Sequence, residues 1–235
     1  MPRSATSRSC WRRPEAGATV HILRYDPRSP FTIPHGWFSA PERITLGTLR
    51  GPRAAEWAAA RAAAKACVLR LLRRPLEADA VVIMQDPSGV PWAAVGRERI
   101  PLSLAHSDGV AAAAAHRRLR VGVDVEPTQP LPPEVSRYFL SSDDANALEG
   151  WSDRPTASLA AWTLKEAALK ATGRALSVPP RTVRIRSMGQ DGRTALSMAG
   201  VELGAACWRD DEAVVAVACA GVSELPALRI SRGGT

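Results

Sequence analysis

The chain has 235 residues, 46% of them hydrophobic and 5% aromatic, with a formal net charge of +8 and a pI near 10.1. That length holds one large domain or two small ones, the apolar content excludes a mainly disordered chain, and no apolar run reaches membrane-spanning length. The basic balance suits nucleic acid, anionic lipid, polyphosphates or an acidic protein without choosing among them, although scarce aromatics argue against single-stranded nucleic acid.

Residues 1–17 hold Arg and Ser without an acid before Glu15 and are expected to be a disordered leader. Residues 19–25 read as a first strand. Ser39-Ala40-Pro41-Glu42 marks a helix start, with proline at an early position and acid in the first turn. Pro52 opens an Ala-rich helix over 53–73, on which Arg61 and Lys65 lie one turn apart, and Pro75 closes it. Residues 81–84 read as a short strand, Asp86-Pro87-Ser88-Gly89 as a turn, and 91–95 as its hairpin partner.

Residues 109–115 and 119–125 read as a hairpin with Arg117-Arg118 at the tip. A helical region follows over 133–140, and a second after Ser141. Pro155-Thr156 opens a helix over 156–172, which Gly173 stops. Strands are expected at 181–187, 194–200, 204–208 and 212–219, and the tail from 223 to 235 as mobile. A strand, a long helix and then further strands thus occur twice. The expected class is α+β, a pseudo-twofold pair of similar halves (18–118 and 119–222), each a small, mainly antiparallel sheet packed with a long helix.

Four cysteines (Cys10, Cys67, Cys207, Cys219) show neither close pairing nor metal-ligand spacing. They read as free thiols in a reducing, cytoplasmic setting.

Two segments carry chemistry. In Val121-Gly122-Val123-Asp124-Val125-Glu126 the valines would face one side of a strand, and Gly122, Asp124 and Glu126 the other. A bare glycine beside two acids suggests close approach of another group. In Trp162-Thr163-Leu164-Lys165-Glu166-Ala167-Ala168-Leu169-Lys170, Glu166 and Lys170 lie one helical turn apart. Taken singly, the strand acids could be a wet edge and Glu166–Lys170 a surface ion pair. Taken together, Asp124, Glu126 and Glu166 form an all-oxygen ligand set of the kind Mg²⁺ accepts beside phosphate and water. Only Lys65, Lys165 and Lys170 among 31 basic residues are lysine. A chain that uses Arg wherever either will serve keeps Lys where a compact or titratable charge is needed.

Both segments resemble the signature of the Sfp-type 4′-phosphopantetheinyl transferases: a hydrophobic-Gly-hydrophobic-Asp-hydrophobic-Glu strand followed by Trp-Ser/Thr-x-Lys-Glu-Ala/Ser-x-x-Lys. Gly89-Val90-Pro91 matches a Gly-x-Pro turn of that family. Leu102-Ser103-Leu104-Ala105-His106-Ser107 matches its Phe-Asn-x-Ser-His-Ser patch, with Ser103 in place of Asn and Ala105 in place of Ser. The resemblance runs from about residue 40 to 220.

The resemblance implies a monomeric enzyme with holo-acyl-carrier-protein synthase activity, its cleft between the two halves of one chain, whereas the shorter holo-acyl-carrier-protein-synthase type makes its clefts between separate subunits. The enzyme would move 4′-phosphopantetheine from coenzyme A to a serine of an acidic acyl or peptidyl carrier protein, with Mg²⁺ or Mn²⁺, releasing adenosine 3′,5′-bisphosphate. Asp124, Glu126 and Glu166 would hold the metal. Glu166 would be general base, with His106 or a metal-bound water as substitutes, and Lys170 would act on the leaving phosphate. Coenzyme A would meet Arg61 at its 3′-phosphate, with Lys65, Gly89, Pro91, Ser103, Ala105, His106, Ser107 and Lys165 around it. Gln85 and Asp86 stand where the family often has a basic residue. Arg117, Arg118 and Arg120 read as surface charge or a docking patch, and Trp162 as a packing anchor. A coenzyme A-binding member without turnover and a basic nucleic-acid binder are the other readings. Carriers of fatty-acid, polyketide, non-ribosomal peptide and siderophore pathways all remain open.

Overall fold

The structure, a computed structural model, describes residues 17–29, 31–32, 36–151, 153–175 and 177–234. The leader expected over 1–17 lies, but for Gly17, outside the described residues, as does Cys10.

The first half contains β1 (Ala18–Arg24), α1 (Ala40–Thr48), α2 (Gly51–Leu72), β2 (Val82–Gln85), β3 (Pro91–Val95), β4 (Glu98–Ser107) and β5 (Val110–Ala115). The second contains β6 (Val121–Pro127), α3 (Pro133–Phe139), α4 (Ser142–Ala147), α5 (Ala157–Thr172), β7 (Arg184–Met188), β8 (Arg193–Met198), β9 (Val201–Asp210) and β10 (Ala213–Ala220). A last strand, β11 (Leu228–Gly234), returns to the first half.

The sheet orders are β11-β1-β5-β4-β3-β2 and β6-β10-β9-β8-β7. Leaving β11 aside, each half runs first, fifth, fourth, third, second strand, antiparallel throughout. The protein is α+β, and its halves share one topology that no sequence repeat announced. The sheets pack face to face through Val20, Ile22 and Ala112 on one side and Val123, Val215 and Val217 on the other. The long helices cover the outer faces, α2 through Ala59, Ala63 and Val68, and α5 through Leu164, Ala168 and Ala171. The many alanines on α2 and α5 let each helix lie close to its sheet. Among the described residues no helix is long and apolar enough to cross a membrane. Cys67, Cys207 and Cys219 are buried free thiols.

Local signals act as the sequence suggests. Ser39 and Glu42 form a capping box on α1, and Ser141 and Asp144 form one on α4. Gly173 takes the left-handed conformation (φ 71°) that ends α5.

Three expectations are corrected. The hairpin expected from 109–115 to 119–125 does not form. Both edges of β5 are already taken by β1 and β4, so β6 has nowhere to pair there and joins β10 in the other sheet. The chain crosses between sheets at His116, whose Nδ1 accepts from the backbone N–H groups of Arg118 and Leu119. The tail is not mobile over its last described residues: 228–234 pairs with β1 in parallel register from Ala18↔Leu228 to Arg24↔Gly234. Its short alternation, interrupted by Arg and Gly, carries little apolar signal because only one face of β11 is covered. β4, absent from the sequence-based elements, was hidden by Pro101 and by its polar residues, which include the buried Ser103.

Candidate active site

Gly122 sets the geometry. A Cβ there would overlap the carbonyl oxygen of Ala167 and the amide nitrogen of Ala171, so β6 touches α5 backbone to backbone. The next residues on that face, Asp124 and Glu126, are thereby carried along α5. One helix stripe (Trp162, Glu166, Lys170) faces them.

Lys170 Nζ donates to Asp124 Oδ1 at 2.6 Å, across the two elements. The expected helical Glu166–Lys170 pair is not among the described ion pairs. Asp124 Oδ2 is buried with no hydrogen-bond partner. Glu126 accepts from Trp162 Nε1 at 3.1 Å and from Ser107 Oγ at 3.2 Å. Trp162 also packs edge-on against Phe139, with centroids 5.2 Å apart, as an anchor should.

Burial pushes the Asp124 carboxyl up to about 7. Lys170 opposes this, and the Glu126 and Glu166 charges add to it. Burial likewise raises Glu166, against the pull of Lys170 and with the push of Glu126. Three carboxylates against one ammonium leave the cluster with surplus negative charge whenever all are ionised.

The expected metal set is only partly assembled. Among the described residues no three His, Cys, Asp or Glu side chains converge closely enough to hold a metal ion. Glu126 is turned to Trp162 and Ser107, and Lys170 occupies one oxygen of Asp124. The donor chemistry nevertheless fits a hard cation: every candidate ligand is oxygen, and the orphaned Oδ2 lacks the partner that a buried acceptor requires.

Beside the cluster opens a cavity of about 370 Å³ between the β2–β3 turn and the end of α5. Lys170 and Gly173 line it from α5, Pro91 and Trp92 from β3, and Arg99, Arg118 and Arg120 bring positive charge. Arg99 lies over the Trp92 ring, 4.4 Å from its centroid. The sequence reading did not place Trp92 or Arg99 at the site. The signal available is the run Arg117, Arg118 and Arg120, which by sequence reads as surface charge or a docking patch. Gly89 (φ 84°) makes the turn before Pro91, and Asp86 organises that turn by accepting from Ser88 N, Ser88 Oγ and Val90 N.

Several expected coenzyme A residues lie elsewhere. Lys165 is fully buried on the opposite side of α5, bonded to Asp144 Oδ2 at 2.9 Å and to the Val183 carbonyl, because one residue's step turns it about 100° from Glu166. Lys65 is equally buried, on Glu42 Oε2 at 2.8 Å and the carbonyls of Ala78 and Val81. Arg61 stacks on Trp57, 3.8 Å from the ring centroid. Ser103 is buried and accepts from Val123 N at 3.0 Å, tying β4 to β6, and Ala105 lies in the core between the sheets. His106 is exposed on β4 and Ser107 reaches the cluster through Glu126.

No curated protein matches the chain. Among solved structures, holo-(acyl-carrier-protein) synthase of Thermotoga maritima matches at 19% identity and a TM-score of 0.37, over 46% of this chain; the chain spans 65% of that protein's length. Residues 120–218 match the family model described as the 4′-phosphopantetheinyl transferase superfamily. That segment runs from β6 through α5 to β10 and holds Asp124, Glu126, Glu166 and Lys170, so the part of the chain that is similar to the 4′-phosphopantetheinyl transferase superfamily is the part that carries the candidate site.

Proposed function

We propose that the protein transfers 4′-phosphopantetheine from coenzyme A to a serine hydroxyl of an apo carrier protein, in the Sfp-type manner and as a monomer. The observation that carries this reading is the carboxylate cluster of Asp124, Glu126 and Glu166 with Lys170 on the wall of an Arg-lined cavity. Both halves of one chain would build the cleft: the N-terminal half the coenzyme A side, the C-terminal half the acidic side.

In this mechanism the serine Oγ attacks the phosphorus on the pantetheine side of the pyrophosphate. The bond to the bridging oxygen breaks, and adenosine 3′,5′-bisphosphate leaves. Glu166, raised by burial, takes the serine proton. Lys170, held by Asp124, meets the charge that develops on the leaving phosphate. Mg²⁺, or Mn²⁺, on Asp124, Glu126 and Glu166 would supply neutralisation of the phosphates. Arg99, Arg118 and Arg120 would attract the polyphosphate, and the Trp92 ring offers a face for the base.

An acidic carrier would find exposed apolar and basic groups nearby. Tyr138 is 76% and Val135 41% exposed on α3, and Arg181 bonds to the carbonyls of Arg137 and Tyr138. The test is incubation with coenzyme A, Mg²⁺ and a panel of apo carriers, followed by mass spectrometry. One phosphopantetheine on a carrier serine, lost in excess EDTA, is the expected result. Coenzyme A binding without transfer to any carrier would favour the reading of a member without turnover.

A further inference from the structure

The cleft has a counterpart in the N-terminal half. α2 and α5 both end on a left-handed residue, Arg73 (φ 53°) and Gly173 (φ 71°), and carry a buried lysine at the same distance before it, Lys65 and Lys165. On this match Lys170 corresponds to Arg70. Thr19 pairs with Ala115 and Gly122 with Ala218 on the equivalent strands, and both face their helix: Cys67 Sγ donates to the Thr19 carbonyl, and Gly122 abuts Ala167. Asp124 therefore corresponds to His21.

The chemistry is inverted. His21 is buried; its own desolvation and the Arg70 charge hold it neutral, with its pKa lowered to about 4. Its Nδ1 lies 2.8 Å from Ser231 Oγ, which fixes β11 against β1. A cavity of about 460 Å³ opens here, lined by Thr19, Arg70, Arg73, Arg229 and Ser231, with no acid among its lining residues. The described ion pairs include neither Arg70 nor Arg73.

Two of these arginines sit at the end of α2, where the helix dipole favours cations. That does not account for the state of Thr19, on the strand beneath them. Thr19 is 2% exposed, and its Oγ1 is buried without a hydrogen-bond partner. A buried hydroxyl in that condition is destabilising unless something bonds it. Arginine forks and a hydroxyl around a cavity of small-molecule size suit a phosphate group carrying an organic part.

We propose that this cavity is a second anion site, which binds a phosphate monoester through Arg70, Arg73 and Arg229 with the Thr19 hydroxyl as a further partner. It stands apart from the transfer reaction and does not depend on it. The ligand could be the nucleotide bisphosphate that the proposed reaction releases or an unrelated sugar phosphate; both present the same group.

The test is NMR titration of the full chain with inorganic phosphate, adenosine 3′,5′-bisphosphate and ribose 5-phosphate, against chloride at equal ionic strength. The expected result is saturable shifts at the Thr19 amide and the His21 ring. Arg70→Ser/Arg73→Ser should weaken that binding by about tenfold or more, and Thr19→Val, which keeps the shape, by a smaller factor. A melting curve near that of the parent shows that the double variant folds. Tighter binding of one organic probe identifies the source. Shifts no larger than chloride gives, or binding unchanged in the folded double variant, overturn the site.

Discussion

Lys65 and Lys165 make the same contact in the two halves of the chain. Each ammonium is fully buried against the acid that closes the capping box of a preceding short helix, Glu42 at 2.8 Å and Asp144 at 2.9 Å. Each also bonds the carbonyl of the residue leading into the next strand region, Val81 or Val183. The scarcity of lysine thus marks two demands. One is a point charge in a tight buried niche, and the other is the group at the candidate site. A guanidinium is too broad for the first niche.

Lys165→Ala should destabilise the protein by about 3 kcal/mol or more, because it leaves Asp144 buried and unpaired. Urea denaturation measures this. A variant of unchanged stability but weakened coenzyme A affinity would return Lys165 to the site.

Lys170→Arg should fold normally and bind coenzyme A within a few-fold, yet lose on the order of 10² in turnover. The ammonium sits on one oxygen of Asp124 in a space that a larger, permanently protonated fork does not reproduce. Near-normal turnover would refute a role for Lys170 in the chemical step.

Gly122→Ala should cost about 1–3 kcal/mol, since the added methyl must push β6 from α5. Activity should fall beyond what the loss of folded protein explains, because Asp124 moves with its strand. Thermal melts paired with rates per folded molecule separate the two effects. Full activity per folded molecule would mean that the β6–α5 approach does not set the site.

His21 should make the protein acid-sensitive between pH 6.5 and 4. Its folded pKa lies near 4 against 6.5 unfolded, so in that window the unfolded chain binds a proton that the folded chain refuses. Its contribution is fully present above pH 6.5 and is lost as pH falls toward 4, at most about 3 kcal/mol in all. His21→Asn should flatten stability against pH in this range. An unchanged slope would show that His21 is protonated in the folded state.

The sequence by itself determined the elements that local rules govern. The capping residues Ser39 and Ser141, the stop at Gly173, the alternation in 121–126 and the helical spacing of Trp162, Glu166 and Lys170 are each written within a few neighbouring residues, and the last two carry the family resemblance and the acidic set. Tertiary structure alone decided what depends on partners far along the chain. β6 pairs with β10 because both edges of β5 were filled. β11 is ordered because β1 offers an edge some two hundred residues away. Lys165 went into the core and Lys170 to Asp124 although both are lysines on one helix, because a five-residue step along a 3.6-residue turn leaves them on different sides, and only packing says which side is buried.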